Sequence, residues 1–344
     1  MATSQTLSEE YDVVIIGGGM AGLTAALVLA RALRRVLVID AGSPRNAPAG
    51  HVHGFPTRDG VPPAELLELA RAEVAGYGVD LVDATVTGLE PPAAVRTADG
   101  RSFRGRQLIL ATGLRDVLPD VDGLGGRWGV DVLQCPYCHG YEVAGKVLAV
   151  LGTARTSIQQ AQLVRTFSED VTLVLPGDIE LGEEDAGGLA AMGIRTLRGE
   201  VAGLATEGGA LTGLVLADGR TVPCEALFLE PEADLEPSLT EHLELDGDGC
   251  IVTDELGRTS QERVWAVGNA TDPSAQVVAA AGDAYRLAVV VNAKLLEEDL
   301  GLAVASAADG AGEQDGAGEQ GGTGEQDGPE EPAGLEEAAL REAV

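Results

Sequence analysis

Cys135-Pro136-Tyr137-Cys138 sets two thiols two residues apart, and His139 follows the second directly. Thiols at this spacing close a tight disulfide, and they exchange with outside dithiols at rates governed by their thiolate character. The pair therefore reads as redox machinery. A histidine of ordinary pKa, ~6.5, can take a proton from an incoming thiol near neutrality and can stabilise a neighbouring thiolate once charged. Two other chemistries use the same letters. Haem attachment through Cys-x-x-Cys-His belongs outside the cytosol, and no cationic leader or cleavable apolar segment precedes Tyr11. Zinc wants a fourth ligand, yet His51, His53 and His242 are not paired with cysteine at ligand spacing. Cys224 and Cys250 stand alone and read as buried thiols.

The elements that must position this chemistry begin at the N-terminus. Tyr11 to Ile16 is a short apolar run enriched in branched residues, which suits a buried parallel strand. Gly17, Gly19 and Gly22 follow as Gly-x-Gly-x-x-Gly, then Leu23 to Leu33 has a helical apolar pattern, and Val36 to Ile39 forms a second strand ending at Asp40. Asp40 falls near the ~20-residue separation at which a carboxylate meets a ribose hydroxyl. The first glycine allows the turn, the second admits a pyrophosphate, and the third lets the helix pack closely with its N–H groups toward the phosphates. A complete strand, turn, helix, strand and acid predicts dinucleotide binding.

The length of 344 residues suggests about two domains, and 45% hydrophobic content lets both bury cores. No uncharged apolar run approaches the roughly 18 residues of a membrane span, so a soluble, cytoplasmic protein is expected. A net charge of -32 argues against nucleic acid or an anionic membrane as partner. From Gly301 the chain turns rich in Gly and Glu, repeats Gly-Glu-Gln from Gly312, Gly318 and Gly324, and is expected to be disordered over 304–344 apart from a marginal helix over 335–344.

Two later runs, Leu-Ile-Leu-Ala-Thr-Gly ending at Gly113 and Val-Trp-Ala-Val-Gly-Asn ending at Gly268-Asn269, resemble the later FAD segments of the thioredoxin reductase family, and the likeness continues through Gln276, Val277 and Gly282 into a closing helix. It covers roughly residues 11 to 300. It implies FAD as cofactor, held by Gly17, Gly19, Gly22 and Asp40 and by Gly113, Gly268, Asn269, Gln276 and Val277. In the family the second run ends in Gly-Asp, whose carboxylate accepts from the flavin ribityl chain. Asn269 can accept through its amide oxygen, without a charge. The likeness further implies that Cys138 faces flavin C4a, that Cys135 is the interchange thiol, and that the protein is a homodimer. Reductases of the family usually carry Asp after the second cysteine. With His139 there instead, Cys-x-x-Cys-His-Gly resembles the branch of gliotoxin and holomycin dithiol oxidases.

Gly152-Thr153-Ala154-Arg155-Thr156-Ser157 occupies the place where the reductases bind NADPH, and it is degenerate. Ala154 replaces the glycine that admits the pyrophosphate. Pro176-Gly177-Asp178 replaces a His-Arg-Arg cluster for the 2'-phosphate, and Glu230-Pro231-Glu232 replaces a Gly-x-x-Pro-Asn segment. NADPH use is disfavoured, although Arg155 and Arg165 remain available to a phosphate. His51 and His53, flanked by Gly50 and Gly54, lie in a loop that the resemblance carries past the flavin, as loop braces or as proton-transfer aids.

The expectation is an α/β protein with two doubly wound, Rossmann-like domains. The FAD domain spans 1–118 and 236–303, split by a module over 119–235 that holds the cysteine pair and the degenerate nucleotide site. The favoured activity is FAD-dependent oxidation of a small-molecule dithiol with oxygen as acceptor, through Cys135, Cys138 and His139. The alternatives are NAD(P)H-dependent reduction of a thioredoxin-like protein disulfide and a non-catalytic redox-responsive flavoprotein.

Overall fold

The computed structural model describes residues 10–315, apart from Pro91 and Asp178. The remainder of the acidic tail, the closing stretch over 335–344 and Asp178 lie outside the described residues. The chain divides into two compact units, one made of Met1–Gly42, Ala70–Thr112 and Pro237–Val344, the other of Ser43–Leu69 and Gly113–Glu236.

In the first unit, β1 (Tyr11–Ile16), β2 (Val36–Asp40) and β3 (Asp80–Asp83) pair in parallel. The helix α1 (Met20–Arg31) joins the first two strands. A second helix, α2 (Pro63–Gly76), precedes β3. The meander β4 (Val86–Glu90), β5 (Ala94–Thr97) and β6 (Ser102–Leu110) completes the edge, with the far half of β6 pairing in parallel with β1. Val13, Val14, Ile15, Leu37 and Val38 are wholly buried, as branched residues covered on both sheet faces should be.

The chain enters the second unit through β7 (Arg115–Val117), then β8 (Val132–Leu133) and the four-residue helix α3 (Pro136–His139). A five-stranded parallel sheet follows, in the order β11-β10-β9-β15-β8, from β9 (Leu148–Leu151), β10 (Val171–Leu175), β11 (Arg195–Arg198) and the later β15 (Ala226–Leu229). Helices α4 (Ser157–Val164) and α5 (Glu183–Ala191) cross over between β9 and β11. An antiparallel sheet of β12 (Val201–Glu207), β13 (Ala210–Leu216) and β14 (Thr221–Pro223) packs on it through Leu211, Leu214 and Leu216. The exit strand β16 (Glu232–Asp234) pairs with the entry strand β7, so the way in and the way out are tied together.

Back in the first unit, the short α6 (Pro237–Thr240) leads to β17 (Val264–Ala266), which pairs beside β6 and makes that sheet seven-stranded. The closing helix α7 (Val277–Asp315) is held to this sheet by a buried polar chain. Trp265 Nε1 donates to Gln107 Oε1 at 2.8 Å, and Gln107 Nε2 donates to Glu298 Oε1 at 2.8 Å. Buried polar groups paired in this way carry no desolvation penalty for an empty partner.

Two boundaries differ from those read in the sequence. Ser43–Leu69 groups with the second unit rather than with the FAD domain. The guanidinium of Arg45 grips the carboxylate of Asp116 there, a pairing 71 residues apart. The closing helix also runs to Asp315 instead of stopping at 303, because Ala303, Ala305, Ala307 and Ala308 are strong helix formers that need no partner face. Among the described residues no helix is long and apolar enough to cross a membrane.

Candidate active site

Cys135 and Cys138 are joined as a disulfide, with Cα atoms 5.3 Å apart. Cys135 is the extended N-cap of α3, Pro136 fills the first helical position where a missing N–H does no harm, and the Cys138 N–H donates to Cys135 Sγ at 3.2 Å. The motif ends on Gly140 for a steric reason. A Cβ there would lie 2.5 Å from the Pro136 carbonyl oxygen and 2.7 Å from the Phe167 ring. Gln134, just ahead of the pair, is fixed at both ends: Arg45 Nη2 donates to its Oε1 at 3.1 Å, and Gln160 Nε2 donates to its backbone oxygen at 2.7 Å. Arg45 itself forks onto Asp116, Nη2 donating to Oδ1 at 2.8 Å and Nε to Oδ2 at 3.2 Å, with side-chain exposures of 17% and 8%. Largely buried charge in bidentate geometry is a rigid support.

His139 is half-buried, and its pKa is pushed below the ordinary histidine value, first by burial and in smaller part by the charge of His53, while Glu142 pulls the other way. Neutral imidazole beside a disulfide is a ready proton acceptor. His53 lies in the loop closed by the Val52–Val61 bridge and faces Glu142, whereas His51 lies at its side with ring centroids 6.1 Å apart. Cys224 and Cys250 are buried and free. Burial and the charges of Asp131 and Glu225 push the Cys224 thiol up to about 12, and burial raises Cys250 as well.

The dinucleotide turn is built in the first unit. Gly17 has φ +106, and a Cβ on it would lie 2.2 Å from the Ala111 oxygen; one on Gly22 would lie 2.0 Å from the Gly17 oxygen. Gly19 is the N-cap of α1, and a Cβ on it would meet nothing within 4 Å, so it alone of the three opens onto free space. Asp40 accepts from the Gly18 N–H at 3.1 Å and from Arg71 Nη1 at 3.1 Å. Gly268 approaches α1 closely, a Cβ there lying 3.1 Å from that of Ala21. Asn269 donates through Nδ2 to the Asp272 and Ala275 oxygens at 2.9 and 3.0 Å, which turns Oδ1 into the atom left for a ligand. Gln276 stands immediately before α7, whose first residue is Val277, and no acidic side chain occupies that helix's first turn. Gly113, with φ +65, is the first residue of the second unit's longer segment. The open cradle at Gly19, the placed carboxylate of Asp40 and the acceptor of Asn269 fit FAD.

The second glycine turn has another character. Ser157 Oγ accepts from the Thr153 and Ala154 N–H groups at 3.2 and 3.3 Å. Thr153 Oγ1 donates to the Glu230 backbone oxygen at 2.7 Å, and Thr156 Oγ1 to the Glu230 carboxylate. Arg155 pairs with Asp185 at 3.0 Å, and Arg165 donates to the Met192 and Ser168 backbone oxygens at 2.8 and 3.0 Å. The polar groups that a nucleotide phosphate would need already hold partners within the protein.

Sequence reasoning missed Arg45, Asp116, Gln160, Asp59 and Glu142. Only Glu142 carried a local signal, as a carboxylate three residues beyond His139; the others come from distant parts of the chain.

The pyridine nucleotide-disulphide oxidoreductase family model matches residues 11–284. A thioredoxin reductase named sirT from Leptosphaeria maculans is 30% identical over 323 residues, covering 87% of this chain and 98% of its own. Among solved structures, HlmI is 43% identical with a TM-score of 0.84, covering 90% of this chain and 100% of its own. An oxidoreductase from Agrobacterium tumefaciens is 33% identical with a TM-score of 0.78, covering 83% and 99%. Two doubly wound units, a complete dinucleotide turn and a bonded cysteine pair agree with these matches: the chain belongs to the pyridine nucleotide-disulphide oxidoreductase family, as a thioredoxin reductase-like flavoprotein acting on sulfur groups.

Proposed function

We propose that the protein is an FAD-dependent dithiol oxidase that closes a disulfide in a small-molecule dithiol, with oxygen as electron acceptor. The contrast between the two glycine turns carries this reading. The first has an open cradle at Gly19, whereas the hydroxyls and arginine of the second are engaged by Glu230 and Asp185 beside the bulk of Ala154. A dianionic phosphate entering there would displace two carboxylates.

His139, neutral at pH 7, takes the proton of one substrate thiol. The thiolate attacks Cys135 Sγ, the Cys135–Cys138 bond breaks, and the electron pair leaves on Cys138. The second substrate thiol, deprotonated in turn, attacks the substrate sulfur held by Cys135. The new substrate disulfide closes and Cys135 leaves as thiolate. The substrate has lost two electrons and two protons, and the cysteine pair has gained the electrons. FAD, when bound, supplies the acceptor for that pair and its route to oxygen, so that dithiol plus O2 gives disulfide plus hydrogen peroxide. Gly17, Gly19, Gly22 and Asp40 would hold its adenosine and pyrophosphate, and Gly113, Gly268, Asn269, Gln276 and Val277 its flavin half.

A second reading, NAD(P)H-fed reduction of a thioredoxin-like disulfide at the same cysteines, is favoured by relatives that carry the name thioredoxin reductase. An anaerobic spectral titration with a small dithiol, NADPH and NADH in turn separates the two. The dithiol is expected to bleach the flavin fully, with hydrogen peroxide formed one for one when air is admitted. Bleaching by NADPH or NADH at turnover speed, with none by dithiols, would overturn the oxidase reading.

A further inference from the structure

The last residue of β8 that pairs in its sheet is Leu133, opposite Phe228, and the next element begins at Cys135, the N-cap of α3. Gln134 is the whole connection between them. Its backbone oxygen accepts from Gln160 Nε2 at 2.7 Å, and its side-chain oxygen accepts from Arg45 Nη2 at 3.1 Å. Gln160 lies on α4, the helix that supplies Ile158, Ala161 and Val164 to the core, and is only 6% exposed. Its other amide atom, Oε1, is buried and accepts no hydrogen bond from the described residues.

Gln107, buried in the first unit, shows what a fully paired amide looks like: Trp265 donates to its oxygen, and its nitrogen donates to Glu298. A buried amide with one end unmet costs stability relative to an apolar side chain of the same shape. Core filling therefore does not account for glutamine at 160. The bond it makes to Gln134 does.

We propose that Gln160 is a positioning residue for Cys135: by holding the Gln134 carbonyl, with Arg45 on the Gln134 side chain, it keeps the Cys135 sulfur in place while the Cys135–Cys138 bond is open. This role rests on the dithiol-oxidase reading above for Cys135 as the sulfur that meets substrate. Gln160 itself gives and takes neither electrons nor protons. While the disulfide is closed, Cys135 is tied covalently to α3. Once a substrate sulfur has taken the place of Cys138, that tie is gone and Cys135 is held through its backbone. On one side its carbonyl accepts from the Cys138 and His139 N–H groups at 3.2 Å; on the other stands Gln134. A slack Gln134 would let the sulfur drift from the second thiol's line of attack and from the Cys138 that must rejoin it. Ring closure follows the effective concentration of the two reacting groups, which falls when either is loosened. Both donors that grip Gln134 are themselves anchored, Arg45 by its fork on Asp116 and the start of α4 by the bonds of Thr153 and Thr156 to Glu230.

The test compares the full-length holoenzyme with its Gln160→Met, Gln160→Glu and Arg45→Lys variants. Each is equilibrated anaerobically in glutathione redox buffers, and the oxidised fraction of the cysteine pair is read by alkylation and mass mapping. In air, kcat and KM for oxygen consumption are measured with dithiothreitol. Gln160→Met fills similar space and trades one unmet acceptor, Oε1, for another, the Gln134 carbonyl, so its unfolding midpoint should stay within about 2 °C of the parent's. The equilibrium constant for closing the pair should nonetheless fall by about tenfold, short of the ~10²-fold that a 1 Å misplacement can cost, and kcat should fall with KM little changed. Gln160→Glu regains a donor only when protonated, a form that burial favours. Its closing constant, taken as a ratio to the parent's, should approach one at low pH and fall as pH rises. Arg45→Lys keeps the charge beside Asp116 but not the fork that reaches both Asp116 and Gln134, and should weaken closing by less. Should Gln160→Met not fold, the other two variants carry the same decision. If the closing constants of the variants equal the parent's, or fall only as their midpoints fall, the positioning role is wrong and the oxidase reading is untouched. If the parent consumes no oxygen with dithiothreitol while Gln160→Met still weakens closing, the oxidase reading falls and the positioning role survives it.

Discussion

The two sulfurs of the redox pair are not equivalent, and the difference is one hydrogen bond. Cys135 receives the Cys138 N–H at its Sγ, while Cys138 sits inside the turn of α3. A backbone donor aimed at sulfur favours the thiolate over the thiol. Once the disulfide is opened, Cys135 should therefore be the more nucleophilic position. Substoichiometric iodoacetamide at pH 7 should label Cys135 first, read by peptide mass mapping, and prior labelling of Cys138 would contradict this assignment. The turn depends as much on what is absent at Gly140 as on what is present at Cys135. Its φ of -63° suits any residue, so the objection to a side chain is purely steric. Gly140→Ala drives a methyl into the Pro136 carbonyl and the Phe167 ring, and should destabilise the second unit by about 1–3 kcal/mol as overpacking does. Thermal or urea unfolding would show it. Both cysteines and His139 were legible in the sequence because their chemistry depends on local spacing. Asp59 and the Arg45–Asp116 support were not, because their meaning arises only when Ser43–Leu69 folds beside Gly113–Glu236 in one unit.

At the scale of elements, the same strand-turn-helix design appears twice, and its two copies differ in where free space lies. In the first, Gly17 must be small because the Ala111 backbone lies against it and Gly22 because it meets the Gly17 oxygen, whereas Gly19 has no neighbour that demands it. These are separable requirements. Gly22→Ala sets a methyl 2.0 Å from the Gly17 oxygen, so α1 must move off β1, and the apoprotein itself should lose about 1–3 kcal/mol. Gly19→Ala meets nothing, and its φ of -73° is open to alanine. It should leave apoprotein stability within about 0.5 kcal/mol of the parent. FAD affinity should nonetheless drop by about tenfold or more, a loss of at least ~1.4 kcal/mol, because the methyl occupies the room a pyrophosphate needs. Calorimetric titration of FAD into both apoproteins, with their unfolding midpoints, checks the pair of outcomes, and equal effects on stability would mean that Gly19 is structural after all. The glycine pattern, the strands and the closing helix could be read ahead because each is a local signal of period or spacing. The antiparallel sheet of β12, β13 and β14 carries local turn signals, Gly208-Gly209 and Asp218-Gly219, whereas the grouping of Ser43–Leu69 rests on long-range pairing that leaves no periodic trace in either partner.

The molecule as a whole carries a net charge of -32, and its fold must hold together against that field. Two electrostatic contributions compete. Many arginines are engaged, as in the cluster where Arg106 meets Asp12, Glu298 and Asp299 and Arg34 meets Asp299 at 2.7 Å. Partly exposed pairs of this kind are worth on the order of 1 kcal/mol each and weaken as salt is added. Opposing them is the repulsion among the carboxylates left without a cation, which acts over the whole surface and is screened by the same salt. With 55 acidic side chains against 23 basic ones, the excess repulsion outweighs the attraction that screening removes. Screening should thus help more than it harms, as the Debye length falls from about 10 Å at 0.1 M to about 3 Å at 1 M. The thermal midpoint in potassium chloride should rise over this range by several degrees, roughly the shift expected for 1–2 kcal/mol in domains of this size. Chloride is the right anion because sulfate or phosphate would strengthen apolar burial by exclusion and confuse the cause. A midpoint that falls would assign the dominant electrostatic contribution to the arginine clusters at the seam of α1, β6 and α7, and Arg106→Gln would then abolish the salt dependence that the net charge was expected to set.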